Sequence, residues 1–499
     1  MNRQISRVAI VALLLLAALV VATTYWQSWQ APSLAAKQDN AIQRVAQFTI
    51  RRGLIYASDG KTVFAANTAK KEGGQTLYLR RYPTNGLASQ TIGYSTQGRS
   101  RAGIERSQNA YLTASNANLG TIFEKIADSV KGTTVKGNNL VLNLRVNAQK
   151  IAETDLSGKC GAAVVLNPKT GQVYVMASSP GYNPNKIESS KGYASILKSP
   201  QACPGSSSPL LNRATQGLYP PGSTFKTVTA AAGLDGGVYT IDSRFDDPGY
   251  CTEYGQKVSN ALNPEGSAEA FGNVDLLQAY QHSINAVFCN IGQKLGAAKV
   301  IDKAKDFGFY SKPPIELPSG EIAASGEYSP RHTPFTDPHL MDPGRLAFGQ
   351  DKLLVTPLQM ALVAAAVANN GTIMEPHLVN KVTSSKGGTV VKVKPQVWKH
   401  AMKPSTAAAL NQMMQAVVTG GTGTSAQIPG IKVAGKTGTA ETGIDRVYDA
   451  WFIFFAPADD PQVAGAVVVE HANDGFGGSV SAPIAKQLMQ AILPGTANK

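Results

Sequence analysis

Ser223 and Lys226 stand three positions apart in the stretch Tyr219-Pro-Pro-Gly-Ser-Thr-Phe-Lys226. A serine hydroxyl is inert near neutral pH until a neighbouring base takes its proton. A lysine amine can be that base once burial and a nearby positive charge lower its pKa. Two prolines and a glycine suit the turn before a helix, and the apolar run Thr227 to Leu234 suits a buried one. On such a helix Ser223 and Lys226 share a face about one turn apart, and Ala230 keeps that face small. A serine in the first turn also meets free backbone N–H groups and the positive end of the helix dipole. Taken alone, S-x-x-K equally describes an ordinary helix start with a serine cap and a solvated lysine.

Two further stretches carry groups of the same kind. Ser283-Ile-Asn285 interrupts the apolar helical pattern Val274 to Leu295 with residues that compete for backbone hydrogen bonds. Such a place is a loop or local cap, or else it offers a second hydroxyl and an amide to the Ser223–Lys226 pair. Lys436-Thr-Gly-Thr-Ala440 continues a strand expected from Ile431. There Lys436, Thr437 and Thr439 could grip a carboxylate, while Gly438 would let a substrate backbone lie alongside. Gly430 to Thr437 also fits G-x-x-x-x-G-K-[ST] letter for letter. A phosphate loop needs a strand before it, a flexible loop inside it and a helix after it. The inner letters here are strand-like and no helix pattern follows, so a nucleotide site is not expected.

These groups need a scaffold. Ala162–Leu166 and Gln172–Ala177, joined at Asn167-Pro-Lys-Thr-Gly171, read as a hairpin of two buried strands. Three more strands close the chain, at 431–434, 450–456 and 463–470, the last two paired antiparallel. Helical patterns fill the middle, including Pro357 to Asn370, and Ser481 to Leu493 ends the chain as an amphipathic helix. Two strands early, three late and helices between imply one sheet with helices on both faces. Upstream, residues 30–140 look like a separate module. Gln47–Arg51 and Thr76–Arg80 read there as β runs between glycine-rich turns. Asn139–Arg145 reads as a strand and Val146–Leu156 as a helix.

The 499 residues allow two or three domains. An apolar run behind Arg3 and Arg7, from Val8 to Trp26, is long enough to cross a bilayer, with Tyr25, Trp26 and Trp29 at its outer interface. The competing reading is a signal peptide cleaved near Ala35-Ala36. Either places the body of the chain outside the cytoplasm. The formal charge of +14 is dispersed rather than striped, so no nucleic-acid partner is expected. The basic excess before residue 150 suits a solvated surface, or anionic lipid or wall polymer. Cys160, Cys203, Cys251 and Cys289 permit one or two disulfides, with three full pairings open. Neither cysteines nor histidines show metal-ligand spacing, and no metal site is expected.

Ser223-x-x-Lys226, Ser283-x-Asn285 and Lys436-Thr437-Gly438, in that order, resemble the penicillin-recognising serine enzymes. Asn212-Arg-Ala to Lys226, Thr356-Pro-Leu-Gln-Met-Ala361 and Ala434–Ala440 are similar to the class B penicillin-binding proteins. Arg52-Gly53 and Gly103-Ile-Glu105 resemble the N-terminal pedestal motifs of that family. The short length and compact pedestal are most like its actinobacterial A group, and nothing resembles the glycosyltransferase domain of class A. The resemblance implies an α/β (α+β) penicillin-binding transpeptidase fold with a mainly antiparallel five-stranded sheet between helical layers. It divides the chain into a cytoplasmic tail (1–7), a transmembrane anchor (8–26), a pedestal (30–140) and a transpeptidase domain (141–495), the last on the extracellular face.

The implied activity is that of a D,D-transpeptidase cross-linking peptidoglycan stem peptides, inactivated by β-lactams and needing no cofactor. Ser223 would attack the D-Ala–D-Ala carbonyl with Lys226 as base, and Ser283 with Lys436 would relay protons to the leaving group. Asn285 would hold the substrate amide and Thr437 and Thr439 its carboxylate, beside Gly438. Backbone N–H groups of Ser223 and Thr439 would form the oxyanion hole. The plasma membrane, and division or elongation proteins including a glycosyltransferase, are the implied partners. Ile284 is a mild departure, at a position where the family varies. A serine β-lactamase shares the three motifs, but Glu316-Leu-Pro and Glu321-Ile-Ala lack the partners of its E-x-x-L-N pattern. A β-lactam sensor would signal through further membrane segments, and one is seen.

Overall fold

The computed structural model describes residues 2–26, 47–115, 135–198, 203, 208–261, 269–442, 444 and 446–494. Helix α1 (Asn2–Thr24) starts ahead of the expected span and exposes its apolar side chains. It is long and apolar enough to cross a membrane. Trp29 and the alternative cleavage site near Ala35-Ala36 lie outside the described residues, as does the expected start of the N-terminal module.

The N-terminal module holds β1 (Ile55–Tyr56), β2 (Val63–Glu72), β3 (Gln75–Arg81) and β4 (Asn139–Leu142). Gln47–Thr49, expected as part of a strand, is a turn of 3₁₀ helix with Phe48 buried. The Glu105 carboxylate anchors the module. It is fully buried and bridges Arg52 at 2.8 Å and Arg80 at 2.6 Å. Both guanidinium groups hold it below the usual glutamate range against the desolvation that would raise it.

Beyond β4 come α2 (Val146–Asp155), β5 (Cys160–Leu166), β6 (Val173–Ser179) and α3 (Lys226–Asp235). Then follow α4 (Leu276–Gln281), α5 (Asn285–Leu295), α6 (Pro357–Ala368), β7 (Val379–Thr383), β8 (Thr389–Lys392) and α7 (Pro404–Gly420). The chain closes with β9 (Ala434–Glu441), β10 (Val447–Ala456), β11 (Val463–Asn473) and α8 (Ala482–Ile492).

Five of these strands form an antiparallel sheet in the order β9-β10-β11-β5-β6. The early hairpin therefore docks on the last strand of the late trio. Period-2 alternation sends Trp451, Ile453 and Phe455 of β10 to one face and Phe452, Phe454 and Ala456 to the other. On the first face lies α6, every residue of which is buried. Thr356 caps it by accepting from the Gln359 N–H at 3.1 Å, and Pro357 occupies its first position. The second face is covered by α2 and α8.

A second sheet runs β8-β7-β4-β1-β2-β3. Its first two strands come from residues 379–392, so the sheet is shared between the N-terminal module and a later part of the chain. The expected boundary at 140/141 falls inside β4, which pairs with β1 on one side and β7 on the other. The strand expected to reach Arg145 ends at Leu142, where the ladder gives way to the start of α2.

Candidate active site

Ser223 lies on a 3₁₀ turn, Gly222–Phe225, and not on the α-helix expected for it; α3 begins at Lys226. With three residues per turn, this geometry stacks Ser223 and Lys226 more closely in line than α geometry would. The preceding residues fix the turn against β9 and β10. Trp451 Nε1 donates to the Pro220 carbonyl at 3.0 Å, and Tyr219 pairs with Val355. Gly222 has φ +51°, and a Cβ there would sit 3.0 Å from the Thr439 carbonyl oxygen. Glycine thus serves twice, in conformation and in close approach. Ser223 is half-buried beside this strand edge.

The expected helix across 274–295 is two helices. Gly272–Asp275 is a strand, α4 ends at Gln281, and α5 begins at Asn285. Ser283, between them, has φ +61°. This left-handed residue turns its side chain to the lysines where a continuous helix would carry it past them. Asn285 opens α5, and the Asn260 side chain caps the helix start by accepting from the Ala286 N–H at 2.8 Å.

Around Ser283 the predicted residues converge. Lys226 Nζ donates to the Ser283 carbonyl at 2.7 Å and to Asn285 Oδ1 at 2.8 Å, and lies 3.3 Å from Ser283 Oγ. Lys436 Nζ donates to the same Oγ at 2.8 Å and to the Thr437 carbonyl at 3.1 Å. Both lysines are fully buried. Burial, reinforced by the Lys436 charge, holds the Lys226 pKa well below the usual lysine value. Burial brings Lys436 to about 7. Two acceptors that cannot donate match the two hydrogens of a neutral Lys226 amine. A hydroxyl accepting from Lys436 has its own proton free for the Lys226 lone pair. The arrangement can pass a proton between two amines through one hydroxyl.

Lys436 sits inside β9, which starts at Ala434 and not at Ile431; before it, Ile428 and Ile431 form only an isolated bridge. Lys436 and Thr437 are thus ladder residues opposite Ile453 and Phe452, without the loop and following helix of a phosphate-binding site. The Thr437 hydroxyl shares a 2.5 Å hydrogen bond with that of Thr422, and Thr439 Oγ1 accepts from the Gly477 N–H at 3.3 Å. The bare face of Gly438 turns toward the protein. A Cβ there would meet the Pro221 carbonyl at 2.7 Å and Trp451 Cβ at 3.0 Å. Its smallness seats the Ser223 turn against β9. Sequence reasoning missed Thr422 and Asn260. Only the glycine- and threonine-rich loop Thr419–Thr424 hinted at the first, and no local signal marked the second.

Elsewhere, Glu316 accepts from the N–H groups of Leu378 and Val379, and Glu321 from that of Gly103. Glu316 is thereby tied to the start of β7 and Glu321 to the N-terminal module. All four cysteines are paired, Cys160 with Cys203 and Cys251 with Cys289. Among the described residues, the one close group of potential metal ligands is Cys160, Cys203 and Glu470, and its cysteines are joined in the first disulfide.

Residues 161–490 match the model of the penicillin binding protein transpeptidase domain, and residues 52–140 that of the penicillin binding protein A dimerisation domain. The chain is 32% identical to the peptidoglycan D,D-transpeptidase PbpA of Mycolicibacterium smegmatis over 99% of both proteins. It is 30% identical to PbpA of Mycobacterium tuberculosis, over 99% of this chain and 100% of that one. Penicillin-binding protein A from M. tuberculosis, solved as a ceftriaxone acyl-enzyme complex, superposes with a TM-score of 0.79 at 29% identity. That likeness covers 90% of this chain and 100% of the solved one.

Proposed function

As the chain belongs to the penicillin-binding protein transpeptidase family, we propose that it is a peptidoglycan D,D-transpeptidase acting through an acyl-enzyme on Ser223. Ser223 Oγ attacks the carbonyl of the penultimate D-alanine of a stem peptide as Lys226 takes its proton. The peptide bond breaks, and the terminal D-alanine leaves with a proton relayed from Lys226 by Ser283 and Lys436. The amine of a neighbouring stem then attacks the ester, gives up its proton along the same route, and frees Ser223. The N–H groups of Ser223 and Thr439 hold the oxyanion, Asn285 the substrate amide, and Thr437 and Thr439 the terminal carboxylate beside Gly438. A β-lactam enters as a cyclic mimic and stalls at the ester.

The observation that carries this reading is the hydroxyl of Ser283 bridging two buried amines, one of them that of Lys226, a turn beyond Ser223. Helix α1 anchors the chain in the plasma membrane with the pedestal and transpeptidase domains outside. Division or elongation proteins, a glycosyltransferase among them, are its partners there. Incubation of the purified protein with a stem-peptide donor and an amine acceptor tests the activity. A cross-linked product that disappears with Ser223→Ala supports it; a donor left intact overturns it.

A further inference from the structure

No acid among the described residues balances either amine of the lysine pair. Among the described residues, the only charge that perturbs Lys226 is Lys436, and Lys436 is perturbed by burial alone. What faces the amines is aromatic. Lys226 Nζ lies 5.3 Å from the centre of the Phe288 ring, and Lys436 Nζ 5.5 Å from that of Tyr280. The two rings are 6.2 Å apart and tilted by 56°. Tyr280 lies near the end of α4 and Phe288 in the first turn of α5, so the break at Ser283 that delivers a hydroxyl between the lysines also delivers a ring to each. The Tyr280 hydroxyl shares a 2.8 Å hydrogen bond with Thr227, which fixes the ring. A ring face attracts a cation, the more so where water is excluded.

We propose that Tyr280 and Phe288 are positioning residues whose ring faces stand in for a counter-ion, with Tyr280 holding the positive charge on Lys436. This rests on the acyl-transfer reading of the site. The charge belongs on Lys436 by donor count. Ser283 Oγ accepts from Lys436 at 2.8 Å and can turn its own proton to Lys226 at 3.3 Å, which leaves Lys226 two acceptors for the two hydrogens of a neutral amine, whereas a third hydrogen on Lys436 stays free for a substrate carboxylate. The other titratable groups on the packed elements do not perturb either amine, and Glu441 ends β9 exposed, opposite Tyr448. Exposed His282 lies tilted against the Phe271 ring, Asp449 of β10 lies opposite Ala440 and accepts from the His471 N–H, and Asp235 ends α3 paired with Lys303. Lys294 is in the last turn of α5, and α7 carries no charged residue.

The test is the rate of penicillin acylation against pH for the full chain and its variants at position 280. Tyr280→Phe keeps the face and should keep the profile. Tyr280→Leu should lower the alkaline limb, where Lys436 loses its charge, by about half to one pH unit. Tyr280→trifluorophenylalanine keeps the shape but withdraws ring electrons; it should move the limb the same way even if the leucine variant does not fold. Titration of the lysine ¹⁵Nζ resonances in unacylated protein reads the same shift without turnover. A limb and a resonance that stay in place in the folded fluorinated variant overturn the proposal, as does a Tyr280→Phe shift as large as the leucine one. Wild-type protein that takes no penicillin at any pH overturns instead the acyl-transfer reading.

Discussion

Lys436 Nζ donates a 2.8 Å hydrogen bond to Ser283 Oγ across 153 positions of sequence. Lys226 Nζ lies 3.3 Å from the same oxygen. One hydroxyl thus joins the edge strand of the sheet to the helix that follows Ser223.

Penicillin should label the protein once, on the Ser223 peptide, and the adduct should persist. Rapid hydrolysis of the ester needs a carboxylate that activates water, help worth about 10²–10⁴-fold. Glu316 and Glu321 spend their carboxylates on backbone N–H groups near the N-terminal module. Intact-protein mass spectrometry followed by peptide mapping reads the outcome. Many fast turnovers with no accumulating adduct would point to a β-lactamase.

Lys436→Ala should lower the acylation rate by about 10²–10⁴-fold in protein that still melts cooperatively. The loss removes the donor to Ser283 and the cation offered to the substrate carboxylate. An unchanged rate constant would exclude Lys436 from the site.

The same lysine should cost stability in a pH-dependent way. Folded, it holds its proton only below about 7; unfolded, it does so up to its ordinary 10.5. Between those values the unfolded chain binds more protons, so stability rises with pH across the interval. The cost is present in full below it and gone above it. Lys226, also lowered, acts in the same direction. Lys436→Met should therefore melt above the wild type at pH 7, with the gap narrowing by pH 10. A gap that widens instead would contradict the lowered amine.

Peptide mapping without reductant should find Cys160–Cys203 and Cys251–Cys289 and no other pairing. These bridges close loops of 43 and 38 residues. On loop-closure entropy, each stabilises by about 4 kcal/mol. Cys251→Ser with Cys289→Ser should lower the denaturant midpoint accordingly, and four free thiols in exported protein would refute the pairing.

The parts of the fold legible in the sequence were those with a local signature. Alternation and turn residues gave away the hairpin at Asn167–Gly171 and the paired strands β10 and β11. The site could be read because Ser223 and Lys226, and again Ser283 and Asn285, lie within one turn of each other. The rest depends on partners far away in the chain. No local pattern shows that β7 pairs with β4, that Thr422 meets Thr437, or that Tyr280 and Phe288 lie under the lysines. The polar residues Ser283 and Asn285 marked a loop or local cap in the apolar pattern, but the left-handed turn at Ser283 is held by contacts with two distant lysines that no local pattern shows.

The mixed sheet also sets an order of assembly. As the chain is made from its N-terminus, β1 to β4 appear with one edge of β4 bare, since its partner β7 is more than two hundred residues behind. Bare strand edges invite wrong pairing, and completing the ladder removes that hazard. The ladder that continues the N-terminal module is therefore complete only once β7 and β8 have been made, by which time Ser223, Lys226, Ser283 and Asn285 are already in the chain. The shared ladder ties completion of the N-terminal module to strands that follow the Ser223 and Ser283 motifs.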